Sequence, residues 1–141
     1  MILYAESSAV LAWLLGESAG ERAREILASA ELVLASDLTL IECDRVLSRA
    51  VTTKQITEAH AADRRAHLNK AALHWNVFAL DAEIVERARR PFPIEPIRTL
   101  DAIHMATAVV ARSTVSGVAL LSLDHRLREC GRTLGLDVLP N

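Results

Sequence analysis

The stretch ILYAESSAVLAWLLGE, residues 2–17, decides the class of fold. Its first four residues are a short apolar run that predicts a strand from Ile2 to Ala5. Apolar residues at helical spacing then predict a helix over residues 8–15, which Gly16 ends. Short Val-, Ile- and Leu-rich runs followed by helical patterns return along the chain. This alternation is typical of parallel βα units and predicts an α/β fold.

Outward from this stretch, expected strands and helices continue to the end of the chain. Further strands are predicted at residues 32–35, 77–80, 118–123 and 136–139. Further helices are predicted at residues 20–30, from Ser36 or Asp37 onward, at 57–75 with a break near Asn69, at 81–90, from Thr99 onward, and at 124–134. Three prolines within residues 91–96 predict an extended loop before the Thr99 helix.

Length and composition favour a single domain over residues 1–141, since 51% of the residues are hydrophobic and can form a sizeable core. Cys43 and Cys130 are the only cysteines, so we expect two free buried thiols rather than a disulfide framework or a zinc site. The chain opens with MILYA, without the basic start of a signal peptide, and no apolar run approaches the ~18 residues of a membrane span. We therefore expect a cytoplasmic protein.

The charge balance neither requires nor excludes a nucleic-acid partner. The formal net charge is −2, from 16 basic and 18 acidic residues. If Glu6, Glu42, Asp101 and Asp124, the candidate site residues discussed below, are left out of the count, the basic residues exceed the acidic residues by two. A mildly basic remainder of this size is compatible with a polyanionic substrate without pointing to one.

Two acidic residues directly follow predicted strands. Glu6 follows the first strand, and Asp124 follows the run that starts at Val118. Ligands of open parallel sheets bind beyond the carboxyl ends of the strands, so both positions suit a functional site. Each acid also has a purely structural explanation as the cap of the next helix.

Two more acidic residues lie on helices that face the core. Glu42 shares a helical stripe with Leu38 and Val46, so its carboxylate needs a cation, a hydrogen-bond partner or a proton. Arg45, three residues later, is the structural alternative as an ion-pair partner. In LDAIHMATAVVA, residues 100–111, Asp101 and His104 interrupt a helix that is otherwise apolar on nearly every face. Asp101 also suits the helix N-terminus, and we interpret His104 as a hydrogen-bonded core histidine.

Four half-buried carboxylates without matching buried lysines point to a shared cation. If the four converge, their mutual repulsion raises their pKa values unless a cation is bound. Carboxylate oxygens are the ligands that Mg²⁺ and Mn²⁺ prefer. The sequence therefore favours a Mg²⁺ or Mn²⁺ site, although it does not show the convergence itself.

Taken together, these features resemble the PIN-domain ribonucleases, in particular the VapC-type toxins of bacterial toxin–antitoxin pairs. The resemblance covers essentially the whole chain. It rests on four stretches taken in order, namely YAESSAVLAWLLGE (4–17), LTLIECDRVLSRA (38–50), RTLDAIHMATA (98–108) and LLSLDHRL (120–127). It implies a three-layer α/β/α sandwich with a central, mainly parallel twisted sheet.

The resemblance also implies an activity and a set of site residues. Glu6, Glu42, Asp101 and Asp124 match the four acids that hold one or two divalent ions in the family, and the ions activate water to attack an RNA phosphodiester. Ser8 and Ser122 match small hydroxyl positions beside the site. The family implies a cognate antitoxin protein as inhibitor and a homodimer. Glu6 departs from the family, which has Asp there, and activity is expected to survive because charge and oxygen ligation are kept.

Several other residues and functions are open to more than one interpretation. Arg98 is a candidate contact to a substrate phosphate, and Arg45, Arg49 and the arginines at 87, 89 and 90 either line an RNA path or belong to solvated helix faces. Trp13 and Trp75 are expected to pack in the core or in a dimer.

The alternative functions are a PIN-fold binding or regulatory module without catalysis, another Mg²⁺-dependent α/β protein such as a receiver or phosphatase, and a DNA-directed nuclease that uses the same acids.

Overall fold

The computed structural model describes every residue from Met1 to Asn141. Five strands and seven helices alternate along the chain. The strands are β1 (Ile2–Ala5), β2 (Leu32–Ser36), β3 (Asn76–Phe78), β4 (Val118–Leu121) and β5 (Val138–Leu139). The helices are α1 (Ser7–Leu15), α2 (Gly20–Ser29), α3 (Asp37–Thr52), α4 (Glu58–Ala72), α5 (Ala82–Ala88), α6 (Thr99–Thr114) and α7 (His125–Thr133).

All strand pairs are parallel, and the sheet order is β3-β2-β1-β4-β5. Because side chains alternate along a strand, β1 serves both faces of the sheet. Tyr4 packs into a core cluster with residues of α5, α6 and α7. Leu3 and Ala5 point the other way, toward clusters built with α1, α2, α3 and α4. The expected three-layer α/β/α sandwich is confirmed.

The register of the sheet sets the ends of β1 and β4 beside each other. Ala5 pairs with Leu121, and the Glu6 amide donates to the Leu121 carbonyl at 3.0 Å. The residues that follow these two strands therefore start from adjacent positions at one edge of the sheet. This carboxyl edge is where ligands of parallel sheets bind.

Several predicted boundaries were wrong. The helix expected to break near Asn69 runs unbroken through it as α4, and β3 starts at Asn76 rather than at Val77 and is only three residues long. The last strand consists only of Val138–Leu139. The strand predicted over residues 118–123 ends at Leu121, because the Leu123 amide donates to the Ser8 hydroxyl at 2.9 Å instead of to a neighbouring strand.

Other expectations are confirmed. Cys43 and Cys130 are free and buried. Gly16 ends α1 in the left-handed conformation, with φ of 67°. None of the seven helices combines the length and the apolar character needed to span a bilayer.

The contact of α1 with α2 depends on Gly20. A Cβ atom at this position would lie 2.1 Å from the Ala12 carbonyl oxygen, which is backbone and cannot rotate away. A Cβ atom at Gly16 would meet no atom within 4 Å, and only the positive φ opposes a side chain there. A substitution at Gly20 therefore tests the close approach of the two helices, and a substitution at Gly16 tests the left-handed backbone conformation.

We expect Gly20→Ala to lower the free energy of unfolding by about 3 kcal/mol, because one helix must shift away from the other. Gly16→Ala is the matched control and should cost about 1 kcal/mol, the typical penalty for a side chain in the left-handed region. Urea denaturation measures both values. Equal costs for the two variants would contradict the close approach of α1 and α2 at Gly20.

Candidate active site

Glu6 lies between β1 and α1 and is almost fully buried, with 5% of its surface exposed. It is the N-cap of α1, and its Oε1 accepts a hydrogen bond from the Ser8 amide at 3.1 Å. Its Oε2 accepts from the Ser8 hydroxyl and, at 2.7 Å, from the Ser122 hydroxyl at the end of β4. Both serines expected beside the site thus bind this carboxylate, and their donors offset the cost of burying it.

Glu42 projects from α3 and is half-buried. Its Oε1 accepts from the Ser7 hydroxyl at 2.7 Å and contacts His104 Nε2 at 2.5 Å. Burial raises the pKa of Glu42, but the hydrogen bonds from His104 and Ser7 outweigh burial and hold this pKa below its usual value. Arg45, the alternative partner from helical spacing, is exposed and forms no ion pair with Glu42.

His104 is confirmed as a hydrogen-bonded core histidine. It is 1% exposed, and its Nδ1 lies 2.8 Å from the Tyr4 hydroxyl on the central strand. A carboxylate only accepts hydrogen bonds, so Nε2 carries the proton toward Glu42, and in the neutral ring Nδ1 accepts from Tyr4. Burial and the negative charges of Glu6 and Glu42 raise the pKa of Tyr4, which keeps its hydroxyl protonated as a donor.

Asp101 and Asp124 share one cation, the guanidinium of Arg98. Arg98 Nε donates to Asp101 Oδ2 at 2.9 Å, and Arg98 Nη2 lies 3.7 Å from Asp124 Oδ2. The other oxygen of Asp124 caps α7 by accepting from the Leu127 amide at 3.0 Å. The hydrogen bond and charge of Asp101, followed by the charge of Asp124, raise the pKa of Arg98.

The structure therefore places all four acids at the carboxyl edge of the sheet, joined through serines, His104 and Arg98. No three or more acidic, histidine or cysteine side chains are grouped so that they could hold a metal ion as they stand. Their oxygens are instead turned toward hydroxyl, imidazole and guanidinium partners. Glu6 and Glu42 are each held by one member of the Ser7–Ser8 pair, while Asp101 and Asp124 face Arg98.

Sequence reasoning missed Tyr4 and Ser7 as members of this network. The sequence pattern places Tyr4 only in an apolar strand, although a tyrosine in a core strand needs a partner for its hydroxyl. The family motif points to Ser8, yet Ser7 contacts both Glu42 and His104. A signal for Ser7 is present in the sequence, because neighbouring side chains at a helix start diverge and two serines there can serve two acids.

The other arginines considered as RNA contacts do not touch the acids. Arg87 stacks over the Phe92 ring, 4.1 Å from its centroid. Arg89 and Arg90 line a separate cavity of about 440 Å³ between α5 and α6. Arg45 and Arg49 line a groove of about 340 Å³ that begins at Glu42. The two tryptophans are partly buried and pack against the cluster on the α1 side of the sheet.

Comparison with known proteins decides the family. The model of the PIN domain family matches residues 3–132. The chain belongs to the PIN domain family. Ribonuclease VapC46 of Mycobacterium tuberculosis is 28% identical over 137 residues, which are 97% of this chain and 95% of that relative. Ribonuclease VapC35 of the same species is 39% identical over 62 residues, 44% of this chain and 45% of that relative.

Two solved structures share the fold. The VapC20 toxin of Mycobacterium tuberculosis, described as cleaving the sarcin–ricin loop, superposes with a TM-score of 0.64 at 18% identity, covering 92% of this chain and 95% of its own. VapBC2 of Rickettsia felis, bound to a promoter DNA fragment, superposes with a TM-score of 0.66 at 12% identity, covering 98% and 97%. The family expected from the four sequence motifs is confirmed.

The contact between Tyr4 and His104 can be tested by a double-mutant cycle. We expect His104→Ala to lower the free energy of unfolding by about 3 kcal/mol, because it removes the imidazole that the buried Tyr4 hydroxyl contacts and opens a cavity. Tyr4→Phe alone should cost about 1 kcal/mol. Once His104 is gone, adding Tyr4→Phe should cost nothing further, so the two effects should not add in chemical denaturation. Additive losses would contradict the contact.

Proposed function

We propose that this PIN domain is a Mg²⁺- or Mn²⁺-dependent endoribonuclease and the toxin of a toxin–antitoxin pair, acting in the cytoplasm. The observation that carries the proposal is the gathering of four carboxylates from four separate elements at one edge of the sheet, two of them already sharing a cation. The ribonuclease names of the relatives support the reaction type. The proposed catalytic and metal-holding residues are Glu6, Glu42, Asp101 and Asp124.

The chemistry of the donor set fits a hard divalent ion. Asp101 Oδ2 and Asp124 Oδ2 both face the Arg98 guanidinium, which supports a position that favours positive charge. Carboxylate oxygens are the ligands that Mg²⁺ and Mn²⁺ prefer, and Cys43, the residue after Glu42, is buried in an apolar cluster with Ala5 and Val10. When bound, such an ion supplies a polarised water and offsets charge on a phosphate.

The chain's own residues hold the acids in place for this role. Ser8 and Ser122 fix Glu6 from two sides, and Ser7 and His104 fix Glu42. All of these partners donate hydrogen bonds, so they keep the carboxylates oriented, and those of Glu42 also hold its pKa below the usual value. A site held in this way loses little orientational freedom when a substrate phosphate arrives.

Two partners belong to the proposal, a cognate antitoxin and a second copy of the chain in a homodimer. Both follow from the family resemblance. Apolar surface lies next to the acids, where Ile41 and Leu100 are 53% and 46% exposed beside the groove that begins at Glu42. Exposed apolar residues beside a functional cleft are typical of surfaces that bind other proteins, which supports a protein partner at this edge.

We do not favour a PIN-fold binding module without catalysis. Glu6 is the only sequence feature that suggests one, and its carboxylate still offers two oxygens at the edge, held by Ser8 and Ser122. A module that only bound RNA would gain nothing from four acids at its binding edge, since they repel phosphates. The same physical reasoning favours a cation-dependent reaction over cation-free binding.

Asp124→Asn tests the metal role separately from helix capping. Asn caps helices as well as Asp, so α7 should be unaffected, while loss of the charge should lower Mg²⁺-dependent RNA cleavage by about 100-fold or more. Asp81→Asn is the matched control, because Asp81 caps α5 through the same contact to the third following amide, at 3.0 Å. Cleavage of labelled RNA measures both. Equal activity of the two variants would contradict the proposed site.

Glu6 can be tested by two substitutions with opposite expected outcomes. Glu6→Gln keeps the length of the side chain and removes its charge, so we expect cleavage to fall by about 100-fold or more. Glu6→Asp keeps the charge and restores the residue usual in the family, so it should retain cleavage. Activity in Glu6→Gln equal to that of the original chain would favour a role for Glu6 in structure alone.

A further inference from the structure

Arg98 is the one side chain that forms ion pairs with two of the four acids. We propose that Arg98 is a built-in counter-ion, which holds Asp101 and Asp124 in the metal-free protein and leaves them when a divalent ion binds. The inference rests on the proposed function, since it concerns the same ion. It adds a residue that competes with the ion for the oxygens of the site.

Helix stability does not explain the position of Arg98. It is the N-cap of α6, but its side chain forms no capping hydrogen bond. A positive charge at a helix N-terminus opposes the helix dipole, whereas Asp101 in the first turn already matches it. The guanidinium is therefore held at this place by the acids rather than by the helix.

The guanidinium and an incoming ion would use the same oxygen of Asp124. Oδ1 of Asp124 is engaged by the Leu127 amide at 3.0 Å, so Oδ2 is the oxygen left for a cation. Arg98 faces this Oδ2 and also takes Oδ2 of Asp101. An ion that binds Oδ2 of both acids competes with Arg98 for both oxygens.

Exposure decides which side chain moves. The Arg98 side chain is 76% exposed, against 12% for Asp101 and 30% for Asp124. Exposed ion pairs are weak because water solvates the free partner well, so Arg98 can leave at small cost. The acids are fixed by burial and capping and stay. A doubly charged ion then replaces a singly charged group that is easily released.

Arg126 provides a matched comparison. It lines the same surface cavity as Arg98, together with Pro96 and Ile97. Its Nε donates to the Pro96 carbonyl at 2.9 Å, and it forms no ion pair with the acids. Removing Arg126 changes the net charge as much as removing Arg98 does, while the acids keep their counter-ion.

The first experiment measures Mn²⁺ binding to the purified protein by electron paramagnetic resonance or calorimetry. We expect Arg98→Ala to lower the Kd for Mn²⁺ about threefold or more, with a smaller difference at high salt. Arg126→Ala should bind Mn²⁺ as the original chain does, and Arg98→Lys, which keeps the charge but not both guanidinium contacts, should have a Kd between those of the original chain and Arg98→Ala. Equal or weaker binding by Arg98→Ala overturns the inference. If the original chain binds no Mn²⁺, the proposed metal dependence fails, and the role of Arg98 falls with it.

The second experiment needs no substitution that risks the fold. In ¹⁵N-edited spectra of the unaltered protein, the chemical shift of the Arg98 Nε–H should report its hydrogen bond to Asp101 in the metal-free state. Saturating Mg²⁺ should remove this hydrogen bond and shift the resonance. Binding of Mg²⁺ without any change at Arg98 Nε would overturn the displacement while leaving the proposed metal site intact.

Discussion

Each carboxylate at the carboxyl edge of the sheet has lost part of its water and must be met by a donor or a cation. The rest of the edge follows from this constraint. Glu6 is met by a backbone amide and two hydroxyls, and Glu42 by a hydroxyl and an imidazole. Asp101 and Asp124 are met by one guanidinium. The serines that follow β1 and β4 and the histidine of α6 therefore act as hydrogen-bond partners of the acids.

The sheet makes these contacts possible by ending its two central strands together. Glu42 belongs to a helix on one face of the sheet and His104 to a helix on the other. They meet just beyond the end of β1, where no strand separates the two layers. Tyr4 ties this contact to β1 itself, and the pairing of Ala5 with Leu121 brings Ser122 to Glu6. A shift of one residue in this register would turn these side chains to opposite faces.

The sequence predicts the fold class and the placement of the acids well, because both depend on local patterns. The first strand is found as predicted and Glu6 follows it directly, whereas Asp124 is separated from the end of β4 by Ser122 and Leu123. The partners of the acids are less accessible from sequence. Helical spacing predicts Arg45 as the ion-pair partner of Glu42, whereas the structure pairs Glu42 with His104, 62 residues away in the sequence. Spacing shows which face a residue occupies, but not which distant element covers that face.

Glu6 shows how a departure from the family's usual residue is absorbed. The Glu6 carboxylate caps α1 through the Ser8 amide and also reaches Ser122, the residue after β4. Hydroxyls are suited to this position because they rotate freely about one bond and donate without adding charge. The longer side chain therefore joins two strand ends, because its carboxylate is bonded to residues that follow β1 and β4. The replacement of Asp by Glu changes the position of the carboxylate, and Ser8 and Ser122 determine that position.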